Sequence, residues 1–431
     1  VNGTRSAALA ALLAIAVGAQ AARIDEDLRS AERLAWQKRF AEAERQYREV
    51  LRREPKSRAA ALGLAQVLLW EQRYDDAAAV YRGLLRDAPN DVDARKGLAT
   101  AEYWSGDFRA AQRDYAIVVR ARPGDAESRK ALADITAASA PLFASDNDFV
   151  SDDQPLHRAR MSASYTAFSD PLTKWTATAG TYALSARGFG SATSPFGAIA
   201  GSTVLPTAHL RVAASLRLLR FPDGETKPLG GVALSRDWRG STIRLDVDRH
   251  ELLYTASSLR AHASETITSL GWTRSSDAAS SSAALHAIRY FDGNSGRAAD
   301  AYHLARVAHG ASRSLSIGAA VSYRDTEESR LVVSGSERRY DPYWTPLDLF
   351  EARAVAAATL NAGRGSVNLH ADGGWARDSD EGIRRTFHPW RTSADFVFPL
   401  RGTFNATIGV EHQATVFYNA NSIRLGVSGR L

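Results

Sequence analysis

Phe404-Asn405-Ala406-Thr407-Ile408-Gly409-Val410-Glu411 sets an apolar side chain against a polar or small one at every step. Successive side chains of a strand point to opposite faces, so a period of two describes a strand with one face in an apolar medium and the other in water. The alternation recurs widely. Ile243, Leu245 and Val247 oppose Arg244, Asp246 and Asp248, and Leu315, Ile317, Ala319, Val321 and Tyr323 oppose Ser316, Gly318, Ala320, Ser322 and Arg324. Val367, Leu369, Ala371 and Trp375 interleave with Asn368, His370 and Asp372. About fifteen such segments lie between residues 157 and 431, each close to the ~9–11 residues that a tilted strand needs to cross a bilayer.

A soluble sandwich would also alternate, so the connections decide. Short ones (Leu205-Pro206-Thr207, Trp238-Arg239-Gly240, Asn361–Gly365, Arg401-Gly402) alternate with long polar ones over 186–194, 253–262, 325–348 and 377–389. Short turns on one side and long loops on the other mark an outer-membrane barrel. With both barrel ends on the periplasmic side the strand number must be even. The short turn at Ser169–Thr173 then requires one more strand, near Pro141–Val150, with Ser151-Asp152-Asp153 as an outer loop. That predicts an antiparallel transmembrane β-barrel of about sixteen strands over residues 138–431, with fourteen as the alternative if one weak strand is a loop. The polar face supplies the candidate pore lining: Arg158, Arg160, Arg211, Arg217, Arg244, Asp246, Asp248, His370, Asp372, Asp395, Glu411 and Arg424. This mixed-sign set suits a hydrated path for a hydroxyl-rich polymer better than an ion-selective pore; alternatively, the charges pair and plug the barrel. Trp175, Trp238, Trp272, Trp375 and Trp390 lie near segment ends, as girdle aromatics do.

The N-terminal third has a different period. Trp36, Trp70 and Trp104 are spaced by 34, as are Phe40, Tyr74 and Phe108; Ala43, Ala77 and Ala111; Tyr47, Tyr81 and Tyr115; and Pro55, Pro89 and Pro123. This pattern resembles the tetratricopeptide repeat, a helix–turn–helix unit. It predicts three units, 24–57, 58–91 and 92–125, followed by a capping helix, in a helical domain over 22–137. The small alanine lets the two helices of a unit approach, and the aromatic pair fills the gap to the next unit. Each proline stops a second helix, because it cannot continue the hydrogen-bond ladder. The resemblance implies a concave docking surface, with groove positions at Asp25, Glu32, Gln66, Asp93, Lys96, Thr100 and Tyr103, for a periplasmic protein partner or a guided polymer.

Ahead of the repeats, Arg5, the apolar run Ala7–Ala19 and the small-x-small Ala19-Gln20-Ala21 read as an export signal peptide over residues 1–21. Within 431 residues, 45% are apolar and 24% charged, which is globular composition, and the absence of cysteine removes disulfides and thiolate chemistry. The net charge of +6 arises from 54 basic and 48 acidic residues, too balanced to argue for nucleic acid. No nucleotide-binding, hydrolase, zinc or calcium motif is found, so no enzyme activity, cofactor or metal is expected.

Helical repeats, a barrel, and Tyr340-Asp341-Pro342-Tyr343-Trp344-Thr345-Pro346 ahead of a late strand together resemble the repeat-bearing outer-membrane porins that export exopolysaccharide, of the poly-N-acetylglucosamine and cellulose type. The resemblance implies an outer-membrane location with the repeats in the periplasm, lipid and polysaccharide as partners, and Tyr340, Asp341, Pro342, Tyr343 and Trp344 as loop contacts to sugar. The YaiO-type barrels are similar in architecture. A barrel that docks and assembles or translocates surface proteins is the alternative function.

Overall fold

The computed structural model describes residues 23–153, 156–186, 190–238, 240–310, 312–334, 337–380, 383–415 and 419–431, and the expected signal peptide lies outside them. The chain divides into two compact units between Ala138 and Ser139.

The first unit turns the 34-residue period into pairs of helices: α1 (23–36) with α2 (Phe40–Arg53), α3 (Arg58–Trp70) with α4 (Tyr74–Asp87), and α5 (Val92–Ser105) with α6 (Phe108–Ala121), closed by α7 (Ala126–Ala138). Pro55, Pro89 and Pro123 follow the second helix of each pair, where the ladder stops. Within each pair the chain reverses through one left-handed residue, again 34 apart: Lys38 and Gln72 at φ 61° and Gly106 at φ 87°. Ala43, Ala77 and Ala111 are fully buried between paired helices. The Tyr47 and Tyr81 rings lie on Gly63 and Gly97 of the next unit, where an added Cβ would sit 2.4 and 2.2 Å from them. The tyrosines thus fill the gap between units. Asp91 caps α5, accepting from the backbone of Asp93 and Ala94, and its ion pair with Arg58 helps hold its carboxyl down at about 2.

One buried acid in this stack has a measurable consequence. Glu102 on α5 accepts a 3.2 Å bond from Arg82, but its second oxygen meets no partner among the described residues. Burial, reinforced by Asp114, pushes its carboxyl up to about 7. In strong acid the folded and unfolded chains both hold the proton, so the group adds no pH dependence. As pH rises from the ordinary 4.5 toward 7 the unfolded chain ionises first, and the repeat unit loses stability until its own carboxyl follows. Glu102→Gln is therefore expected to stabilise the helical circular-dichroism signal by about 2 kcal/mol at pH 8 and to leave it unchanged at pH 4. Identical melting profiles at pH 8 would contradict this.

The second unit is one closed antiparallel sheet. Its strands are β1 (Leu142–Asp152), β2 (Leu156–Asp170), β3 (Thr173–Ala186), β4 (Gly190–Leu205), β5 (Leu210–Arg220), β6 (Thr226–Trp238), β7 (Ser241–Glu251), β8 (Ser264–Ser275), β9 (Ala279–Tyr290), β10 (Ser295–Gly310) and β11 (Arg313–Thr326). A separate hairpin, β12 (Leu331–Ser334) with β13 (Glu337–Tyr340), precedes β14 (Leu349–Ala362), β15 (Gly365–Asp380), β16 (Ile383–Phe387), β17 (Trp390–Pro399), β18 (Asn405–Ala414) and β19 (Asn419–Arg430). The barrel sheet counts seventeen strands; β16 and β17 both pair with β15 and form a single stave interrupted at His388-Pro389, leaving sixteen staves. β1 closes on β19 from Leu142↔Arg430 to Asp152↔Ala420, so the sheet closes on itself.

At the end where β1 begins and β19 finishes, the connections are short, as at Pro171-Leu172, Pro206–His209 and Gly363-Arg364. The long ones, 252–263 and 327–348, lie at the opposite, outer end. Two stretches expected as long loops are instead mostly strand. β3 and β4 leave only 187–189 between them, and β15 and β16 only 381–382. Beyond the lipid both faces of a stave meet water, so no apolar face is needed there and the sequence reads as loop. Ser151 and Asp152 likewise complete β1.

The outward face is apolar and exposed: Ile199, Leu216, Val232, Leu245, Leu270, Leu285 and Ile317 all point away from the barrel interior with no protein covering them. An uncovered apolar belt of this extent is at home against lipid. Trp175, Trp238 and Trp272 ring it near the short-turn end and Trp375 and Trp390 nearer the outer end, all exposed. Among the described residues no helix is long and apolar enough to cross a membrane; the crossing elements are strands. The fold is an outer-membrane-type barrel preceded by helical repeats.

Candidate functional site

All twelve candidate lining residues sit at strand positions opposite in phase to that apolar belt, on the face turned to the lumen. Most are paired there. Arg160 is bonded to Asp146, and Arg244 Nε donates to Asp246 at 2.8 Å. Asp248 lies 3.3 Å from His250 Nδ1, and Arg424 lies 3.6 Å from Asp395. Arg217 reaches Glu251 at 2.6 Å, where the Tyr182 hydroxyl also donates at 2.6 Å. Arg158 donates to the Leu253 carbonyl at 3.4 Å. Arg211 and Glu411 lie on the same face.

Asp372 anchors the densest knot. It accepts from Arg353 Nη1 at 2.8 Å and Arg391 Nε at 2.9 Å and lies 2.8 Å from His370 Nε2, while Arg353 also reaches Glu351 at 2.8 Å. Glu251, Tyr182, Arg353, Glu351 and Arg391 are lumenal partners of these candidates that the alternation alone does not reveal. Alternation placed their strands, but which side chains meet across staves depends on register, such as Asp372 opposite Arg391, which a single chain does not reveal.

The lumen retains open space between these pairs. A cavity of about 460 Å³ is lined by three acids (Asp146, Asp148, Glu251) and three arginines (Arg158, Arg160, Arg424), with Tyr182, Leu253 and Tyr254. A second of about 240 Å³ sets Lys174 and Arg244 against Asp246 and Asp248. Both walls are charge-balanced, without a field strong enough to select by sign.

Over this lumen the two long outer loops fold inward and interlock. Loop 252–263 carries a short helix, α8 (Ala256–Arg260), and seats Leu253 and Leu259 on the lumenal side chains Tyr182, Leu184, Phe196, Leu219 and Leu229. The segment expected to grip sugar has other partners. Asp341 accepts from Thr255 Oγ1 at 2.9 Å and Ser257 Oγ at 3.1 Å, tying the second loop to the first. Tyr343 is fully buried, stacks on Tyr290 at 4.4 Å and donates its hydroxyl to Asp292 at 2.7 Å. Trp344 packs beside Leu349, Ala376 and Phe387 under the Arg324 guanidinium. Pro342 joins these anchors, and Tyr340 ends β13. Tyr343 is therefore not presented to a polymer: its ring gains more by burial against Tyr290 than by exposure. Together these contacts make a cap.

In the repeats, Asp25 and Glu32 are exposed and Gln66 is half-buried. The other groove candidates hold the stack itself. Asp93 bridges Arg58 and Arg122, Lys96 pairs with Asp125 and Glu127, Thr100 bonds Tyr115, and Tyr103 lies among the rings of Trp104, Phe108 and Tyr115. The repeat tryptophans do not fill inter-unit gaps: Trp36, Trp70 and Trp104 are 73%, 41% and 62% exposed. They form a row at the ends of α1, α3 and α5, with Trp36 and Trp70 5.9 Å apart.

Residues 35–91 and 71–135 match the tetratricopeptide repeat family. The helical unit is built of such repeats. No curated protein matches the chain. Among solved structures, a bacterial polysaccharide outer membrane secretin is similar over 68% of this chain and 99% of its own, with a TM-score of 0.52 and 11% identity. The first repeat domain of Spaghetti (RPAP3) bound to an HSP90 peptide covers 27% of this chain and 91% of its own at TM-score 0.26 and 16% identity. A tetratricopeptide repeat protein from Parabacteroides merdae covers 26% of this chain and 43% of its own at TM-score 0.25 and 21% identity. The first of these likenesses concerns the fold of a large barrel.

Proposed function

We propose that this chain is an outer-membrane channel that exports an uncharged or charge-balanced exopolysaccharide, with its repeat domain meeting the cargo in the periplasm. The observation that carries this reading is the lumen: a sixteen-stave barrel whose inner wall carries acids and bases in near balance, most of them paired with one another. A hydroxyl-rich chain can exchange hydrogen bonds with such a wall at every step without being trapped by a net field. The tryptophan row supports the same cargo. Indoles offer flat apolar faces to sugar rings, and Glu32 and Gln66 lie one helical turn before Trp36 and Trp70 to meet hydroxyls. The nearby cations Arg58, Lys96 and Arg122 are engaged by Asp91, Asp93, Asp125 and Glu127, so this face is poorly suited to clamp an acidic peptide. The name of the similar barrel, a polysaccharide secretin, agrees with this reading.

The test is deletion of the gene in its host, with acid-hydrolysed sugar measured in periplasm and medium. Polysaccharide accumulating in the periplasm and falling in the medium is expected, with surface proteins unchanged. Replacing Trp36, Trp70 and Trp104 by Ala should reproduce the export defect while the barrel still assembles. Normal sugar export together with lost surface proteins would instead favour a barrel that assembles or translocates proteins.

A further inference from the structure

The cap has a second fastening, on the side away from Asp341. His262, at the end of loop 252–263, stacks on Phe221 of the β5–β6 hairpin at 4.4 Å. Its Nε2 lies 2.7 Å from Asp223 Oδ2 and its Nδ1 2.9 Å from Glu225 Oε2. A neutral imidazole has one N–H, so it can donate to one of these carboxylates but must set a lone pair against the other. With no cation between the three groups, both contacts are favourable when the ring carries both protons. The hairpin is a firm anchor. Phe221 and Glu225 pair through their backbones at 2.8 Å, Asp223 accepts from the Glu225 N–H at 3.0 Å, and Phe221 is buried among the lumenal leucines. The other charges facing the ring's surroundings are Lys227, paired with Glu225, Arg220 beside Gly224, and Arg260 two residues before His262. The Asp223 carboxyl is held below its ordinary range by the Glu225 N–H and then by His262.

We propose that His262 is a protonation latch: its imidazolium fastens loop 252–263 to the β5–β6 hairpin and keeps the outer mouth capped, and loss of one proton to solvent frees the loop. The sign follows from the charges. The doubly bonded imidazolium needs both ring protons, and one of its two fastenings becomes repulsive when a proton leaves. The cap therefore closes in acid and loosens toward alkaline pH. The Asp341 bonds to Thr255 and Ser257 do not involve the imidazole and act as the hinge side of the loop.

The chain has no cysteine, which makes a single reporter thiol straightforward. Leu259, on α8, is 1% exposed against the lumenal wall. In the full-length protein in liposomes, Leu259→Cys is labelled with a membrane-impermeant maleimide from pH 5.5 to 8. Each rate is divided by that of Glu327→Cys, an exposed position of the neighbouring loop, to remove the thiol's own titration. The normalised rate is expected to rise about tenfold across this range, the size of one lost charge-assisted hydrogen bond. Adding His262→Gln should give the high rate at every pH. A flat profile with His262 present, or an unchanged profile after His262→Gln, would overturn the latch. If Leu259→Cys fails to assemble, Ala263→Cys, also fully buried, serves as the reporter with the same two criteria.

Discussion

Tyr343→Ala is expected to unseat the 341–348 segment and raise single-channel conductance several-fold. The side chain stacks on Tyr290, touches Phe291, and hands its hydroxyl to Asp292, which Arg330 also holds at 2.9 Å. Truncating a fully buried aromatic costs about 3–5 kcal/mol, more than a short loop segment retains from a few hydrogen bonds. Asp341, deprived of a fixed backbone, then loses its hold on Thr255 and Ser257, so both cap loops loosen together. Tyr343→Phe separates packing from hydrogen bonding. It keeps the ring, loses the Asp292 bond, and should cost about 1 kcal/mol with little change in current. Equal conductance for Tyr343→Ala and the unaltered protein would show that the segment does not cover the mouth.

Asp372→Ala is expected to lower barrel stability by about 3–5 kcal/mol, read as a fall in the urea midpoint of the folded, heat-modifiable form. Its side chain is 2% exposed and serves Arg353, Arg391 and His370 at once. Removing it leaves Arg391 without its carboxylate in a confined wall and leaves Arg353 with Glu351 alone. Because the acid is enclosed, added salt should restore little of the loss. Asp246→Ala is the comparison: its partner Arg244 is half exposed to the lumen, and its loss should cost less than about 1 kcal/mol. Equal effects from the two substitutions would mean that the Asp372 knot is merely decorative.

The barrel was legible because lipid on one side and water on the other impose a period of two over whole strands, as at Phe404–Glu411. The repeats were legible because each 34-residue unit must present the same tyrosine to the same small residue, Tyr47 to Gly63 and Tyr81 to Gly97. The lumen-facing phase of Arg158, Asp246 and His370 followed from the same alternation. Three features were hidden. The Arg217–Glu251 and Arg391–Asp372 partnerships join residues that only strand register and loop folding bring together. Tyr343 and Trp344 read as exposed sugar contacts, since aromatic residues beside proline in a polar loop give no sign of folding inward; the burial of Tyr343 and the packing of Trp344 depend on Tyr290 and Arg324 of other staves and on Asp292 of the β9–β10 turn. The polar outer stretches of β3, β4, β15 and β16 extend past the lipid, where hydrophobic alternation has no reason to persist.

The central claim is that the lumen is a passage for neutral sugar chains, closed at its outer end by the cap. Liposome swelling in neutral oligosaccharides tests it most directly, comparing the unaltered protein at pH 5.5 with Asp341→Ala/Tyr343→Ala. Slow swelling for the former and rapid swelling for the latter, graded by sugar length, is the predicted result. A cap variant as impermeable as the unaltered protein would contradict it, because the charge pairs of the wall would then be a plug and not a lining.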